Sequence, residues 1–130
     1  MLRYKVRVNL GIFCTTLRNQ QEYKMLVDKD GSVPNALLYG PHEVGDVLRK
    51  ISNKYLSVDA DWLDVRFSNI ANREIEGFGR ELHINYGVAI PEDLELKSGK
   101  WVSLEDCLKE VVYVDESYHD ILANISLMII

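Results

Sequence analysis

Between Glu81 and Ile90 the side chains alternate: Leu82, Ile84, Tyr86, Val88 and Ile90 fall on one side, Glu81, His83 and Asn85 on the other, and Pro91 follows. Only an extended strand places every second side chain on one face, so this stretch commits the chain to a sheet with an apolar side. Proline has no amide proton for the ladder and ends the strand. Arg3 to Leu10 alternates in the same way, with Tyr4, Val6, Val8 and Leu10 opposite Arg3, Lys5, Arg7 and Asn9. It is expected to run on to Leu17 through Gly11, a residue that tolerates a bulge or the close approach of another backbone.

The apolar side of such a sheet needs a covering layer, and Val44, Val47, Leu48, Ile51 and Tyr55 recur at the spacing of a helix that could supply it. Gly45 costs about 1 kcal/mol against alanine inside a helix, so the regular part is expected to begin near Asp46. Arg49, Lys50, Asn53 and Lys54 lie on the opposite side as a mostly basic ridge. The preceding stretch, Ser32 to His42, carries Pro34, Gly40 and Pro41 and cannot be regular throughout.

Further strands are expected at Tyr23–Val27, Trp62–Phe67 and Trp101–Val102, with a hairpin loop from Asn72 to Arg80 around Gly77 and Gly79. Ser103, with Asp106 three residues on, opens a short helix to about Lys109. Ser117 and Asp120 open another, in which Tyr118, Ile121, Leu122, Ile125 and Met128 form the packed side. The order β, β, α, β, β, β, β, α, α implies an α+β fold, a mixed, partly antiparallel sheet between helical layers. A chain of 130 residues, 47% of them hydrophobic, suits one domain spanning 1–130.

A net charge of −5 argues against broad attraction to a nucleic-acid backbone. Cys14 and Cys107 form no CxxC pair and have no histidines at ligand spacing, so they are expected as buried free thiols. No run approaches the ~18 apolar residues of a membrane span, and MLRYKVRV lacks a leader's apolar core. No membrane association and a cytoplasmic location are therefore the expectation. The apolar run Leu127 to Ile130 would be tucked into the core or covered by a second copy in a homodimer.

Three phrases, in this order and over nearly the whole chain, resemble the Nudix hydrolase family. Val33-Pro34-Asn35-Ala36 resembles the proline and paired glycines that open its signature, and Lys100 to Glu105 its tryptophan-bearing strand before a short helix. Asp115-Glu116-Ser117-Tyr118-His119-Asp120-Ile121-Leu122 is similar to the acidic entry to the closing helix, especially in members that hydrolyse oxidised purine nucleoside triphosphates. The resemblance implies a Nudix-like α/β/α sandwich. It also shows what is missing, because the family's Nudix box is degenerate here. With Arg49 as the box arginine, Lys50, Asn53 and Lys54 stand where glutamates would be and Pro41 replaces the upstream glutamate; one residue later, Ile51, Lys54, Tyr55 and His42 take those places.

Magnesium demands a shell of hard oxygen ligands, and ammonium groups repel it. A helix bearing Lys50 and Lys54 is no magnesium platform, so the expected role is a non-hydrolytic binding or interaction module. Its ligand would be a nucleotide diphosphate-like molecule, held by Arg49, Lys50 and Lys54 as fixed positive charge and by Asp115 and Glu116, which in the purine-specific members hydrogen-bond the base. A protein partner is the other expectation, and no cofactor is expected. The alternative is a divergent phosphohydrolase with a metal site rebuilt from Glu43, Asp46 and Glu116; Glu43 and Glu116 are then the catalytic candidates, and only then is magnesium needed. Trp62 and Trp101 are expected to supply core or edge area, and scattered acids such as Asp59, Asp64, Glu74 and Glu81 to face solvent.

Overall fold

The computed structural model describes residues 5–15, 23–75, 77, 79–110, 112, 114–115 and 117–122. Glu116, Ile125, Met128 and the run from Leu127 to Ile130 lie outside the described residues. The long alternating stretches form strands β1 (Lys5–Thr15) and β5 (Gly79–Ala89), which run parallel in continuous register from Lys5 opposite Glu81 to Phe13 opposite Ala89. On one side of this pair lies β4 (Arg66–Ile75), antiparallel to β5; on the other, β2 (Tyr23–Val27) pairs with β1 and β6 (Lys100–Ser103) with β2. A short β3 (Asn35–Leu37) lies antiparallel to β1 along residues 7–9. The result is the expected mixed sheet, of six strands, with β3 an addition inside the Ser32 to His42 stretch that was expected to be a loop.

Helix α1 (Val44–Tyr55) turns Val47, Ile51 and Tyr55 onto the sheet face formed by Val8, Leu10, Ile12, Leu26 and Val88. It starts at Val44, ahead of the expected Asp46, because the Asp46 carboxylate accepts from the Glu43 backbone N–H at 3.0 Å and pins the first turn around Gly45. The opposite face, with Phe13, Met25 and Val27, is covered by α2 (Leu104–Leu108) and α3 (Ser117–Leu122) through Leu104, Cys107, Tyr118 and Ile121. Helices thus cover both faces, as the α/β/α arrangement requires. Cys14 and Cys107 are free and buried, and burial pushes both thiols up, Cys14 to about 11. No described helix is long and apolar enough to cross a membrane.

The strand expected at Trp62–Phe67 is formed only at Arg66 and Phe67. Ala60–Trp62 makes a turn of 3-10 helix instead, entered through Asp59, whose side chain accepts from the Asp61 N–H. Trp62 is 85% exposed, so it supplies no core, whereas Trp101 packs against the α1 side of the core. β4 begins only at Arg66 and continues through the expected loop to Ile75. The reversal narrows to the residues around Gly77 and Gly79, whose φ values of 80° and 89° favour glycine. Glu81, expected at the surface, is buried, and so are His83 and Asn85.

Candidate functional site

Register alone assembles the floor of a site. On the α3 side of the sheet, Asn9, Asn85 and Asn69 stand abreast on β1, β5 and β4; the next row is Arg7, His83 and Ala71, and the next Lys5, Glu81 and Arg73. The polar side of the alternation is therefore covered as well, on the face that α2 and α3 occupy. Ala71 fills little of its row, and the small side chain leaves room above the sheet.

These groups satisfy one another in a chain. Asn69 Nδ2 donates to the Asp120 carbonyl, Asn85 Nδ2 to Asn69 Oδ1 at 2.8 Å, and Asn9 Nδ2 to Asn85 Oδ1 at 2.9 Å. Asn9 Nδ2 also lies 3.0 Å from His83 Nδ1. An amide nitrogen can only donate, so Nδ1 accepts and the imidazole proton sits on Nε2, which donates to Glu81 Oε1 at 3.0 Å. Arg7 Nε donates to the same oxygen, while its Nη1 donates to Asn35 Oδ1 at 2.6 Å and Asn35 Nδ2 donates to the Val33 carbonyl at 2.7 Å.

Charge follows from these contacts. Burial holds His83 below the ordinary histidine range, against the pull of Glu81. Burial alone would raise Glu81, but hydrogen bonding and charge from Arg7 and His83 outweigh it and hold the carboxyl below its usual range. The site thus contains a neutral imidazole and an ionised carboxylate, with Oε1 taken twice.

The roof comes from two segments the sheet does not contain. Asp115 accepts from the Val33 N–H at 3.2 Å and the Ser117 N–H at 3.1 Å, and its own N–H donates to the Gly31 carbonyl at 3.1 Å. Burial pushes its carboxyl up despite those donors. Between roof and floor lies a cavity of about 550 Å³, bordered by Arg7, Asn35, Arg73, Glu81, His83 and Asp115 among others. Arg73 is clamped by the Asp120 carboxylate at its edge. A second cavity of about 490 Å³ lies beside α1, bordered by Leu37, Tyr39, His42, Asp46, Val47 and Lys50.

The residues singled out in the sequence are divided between these places. Asp115 borders the first cavity and Lys50 the second. Arg49 faces Asp61 at 3.2 Å on the exposed side of α1, and Lys54 lies 3.7 Å from Asp28, which also accepts from the Tyr55 hydroxyl at 3.1 Å. Glu43 is exposed at the entrance to α1. The floor residues Arg7, Asn9, Glu81 and His83 were not singled out. Their signal was present as two matching polar faces on two strands, but nothing in one strand says which face is covered.

At the α1 positions where the resemblance would place metal-binding glutamates, the side chains do not fit magnesium. Ile51 and Tyr55 are buried in the core, and Lys50, Asn53 and Lys54 are exposed and offer no carboxylate. Among the described residues no group of three or more His, Cys, Asp or Glu is placed to hold a metal ion.

No family model matches the sequence, and no curated protein matches it. Solved structures do. The Nudix domain of Shewanella oneidensis NrtR, complexed with ADP ribose, is 11% identical with a TM-score of 0.63, over 84% of this chain and 79% of that one. A Caenorhabditis elegans Ap4A hydrolase in a binary complex is 13% identical with a TM-score of 0.67, over 95% and 96%. The C-terminal domain of mouse MUTYH, in complex with human PCNA, is 9% identical with a TM-score of 0.67, over 93% and 86%. Identity this low speaks for the fold alone, and with helices on both faces of a mixed sheet, the fold of this chain is Nudix-like.

Proposed function

We propose that the domain binds a nucleotide diphosphate-like ligand and does not cleave it. The observation that carries this reading is the position of β3. Asn35 and Leu37, two residues apart on one face of that strand, border the first and second cavities respectively. Two residues of strand span about 7 Å, so an extended ligand can lie along β3 with one end beside Asp115 and the other beside Lys50. Lys50 supplies the positive charge for its phosphates, and Arg49 and Lys54, each facing a carboxylate, add only longer-range field. Glu116 is assigned to the ligand together with Asp115.

The ADP ribose held by the NrtR domain supports the ligand class, and the misfit of α1 to magnesium supports binding without hydrolysis. Calorimetry with ADP and ADP-ribose in EDTA tests the reading, and absence of binding at millimolar concentration would sink it. Incubation with the same compounds and magnesium or manganese tests the other half: cleavage abolished by Glu43→Gln or Glu116→Gln would establish a phosphohydrolase instead. The neighbour bound to PCNA favours protein docking as a second reading, for which exposed Trp62 and Leu108 are the contact candidates.

A further inference from the structure

The lining of the first cavity is chemically one-sided. None of the described residues bordering it is aliphatic or carries a phenyl, phenol or indole ring; all are amides, hydroxyls, carboxylates, guanidiniums or the His83 imidazole. A nucleobase has two apolar faces that gain by being covered with aromatic or aliphatic surface, and the described residues of this lining offer neither. Phosphate is also disfavoured. The two guanidiniums, Arg7 and Arg73, are already matched to Glu81 and Asp120, and Glu74, Glu81 and Asp115 place three carboxyls at the wall.

A hydroxyl group suits this lining, because each hydroxyl both donates and accepts. Glu81 gives Oε1 to Arg7 and His83, and among the described residues Oε2 has no hydrogen-bond partner beside the cavity, with the Arg7 guanidinium fixed next to it by Asn35. Side by side, the carboxylate accepts a hydrogen bond from one hydroxyl and the guanidinium donates to the oxygen of its neighbour. Carboxylates hold ribose hydroxyls in the same way at dinucleotide sites. The second cavity, with Tyr39 65% exposed beside Lys50 and His42, holds aromatic surface and, in Lys50, a cation that pairs with no carboxylate among the described residues; the described lining of the first holds neither.

We infer that the first cavity receives a sugar ring, the glycosyl end of a sugar nucleotide such as ADP-ribose, with the Glu81 carboxylate and Arg7 guanidinium reading a pair of adjacent hydroxyls. This inference rests on the binding reading above and fixes which end of the ligand enters. Glu81 is the specificity residue, and His83 and Asn9 are positioning residues that hold its carboxylate in one orientation.

Calorimetry in EDTA compares ADP with ADP-ribose on the wild-type protein and on Glu81→Gln. The expected result is at least about tenfold tighter binding of ADP-ribose, a loss of roughly tenfold or more for ADP-ribose in Glu81→Gln, and ADP affinity changed by less than about twofold. Retained ADP binding shows that the variant is folded. Saturation-transfer NMR on the wild-type protein needs no variant, and the terminal ribose protons of ADP-ribose should receive more saturation than adenine H2 and H8. Equal affinity for ADP and ADP-ribose, or strongest transfer to adenine, overturns the sugar assignment and leaves the binding reading intact. Failure of both compounds to bind overturns the two together.

Discussion

Gly11 lies directly beneath Ile121: a Cβ on Gly11 would stand 2.8 Å from Ile121 Cγ2 and 2.8 Å from Phe13 Cε2. Both neighbours are fully buried and have nowhere to go. Gly11→Ala is therefore expected to cost about 1–3 kcal/mol in urea unfolding, through overpacking where α3 meets β1. Ile121→Ala should cost less in the Gly11→Ala background than in the wild type, since it relieves the clash. Additive effects of the two changes would show that α3 does not close on β1 at this point.

Asn85 makes one bond as acceptor and one as donor, to Asn9 and Asn69, with no exposed surface. Asn85→Ala leaves the carbonyl of Asn69 and one hydrogen of Asn9 without their partner. A loss of about 2–3 kcal/mol is expected by chemical denaturation. A loss under about 0.5 kcal/mol would mean that the row is hydrated and not closed by α3.

His83 gives the protein a measurable pH dependence. Its folded-state value lies below the ordinary 6.5, so as pH falls below about 6.5 the unfolded chain takes up a proton the native state refuses, and stability drops. Glu81, held below its usual 4.5, acts in the same direction at lower pH, while Asp115, pushed above 3.8, acts in the opposite one. Urea midpoints at pH 7.5 and 5.5 isolate the histidine: His83→Gln should lose less stability between the two than the wild type. Parallel curves would mean that His83 titrates alike in both states.

Lys50 borders the second cavity, whereas Arg49 is paired with Asp61 on the exposed face. Lys50→Ala is expected to weaken ADP binding in EDTA by roughly three- to tenfold at low salt, and by less at 0.5 M salt. Arg49→Ala should change it by less than about twofold. An equal loss from both variants would point to general attraction by the ridge instead of a contact at Lys50.

The sequence made the strands legible wherever one face is apolar and the other polar, as in β1 and β5, and it made the helix legible from Val44, Val47, Ile51 and Tyr55. It misread Trp62 because alternation around an exposed turn looks like alternation in a strand. The floor of the cavity was illegible for a different reason. Alternation tells which residues share a face, but the covering of that face depends on α3, more than thirty residues further on than His83. Asp115 was found through a resemblance, and its neighbours Arg7, Glu81 and His83 had no local signal beyond being polar in a strand.

The direction of the hydrogen bonds in the asparagine row limits how this protein can change over time. Each amide passes its donors to the next member, from Asn9 to Asn85, from Asn85 to Asn69, and from Asn69 to the backbone of α3. Replacing any single member with an apolar residue strands a buried neighbour within the row, whereas replacing the whole row leaves only its two outside acceptors, His83 Nδ1 and the Asp120 carbonyl, in need of new donors. Drift towards an apolar floor is blocked one residue at a time and open only to concerted change, so a lineage that begins with this row is held to it by its intermediates.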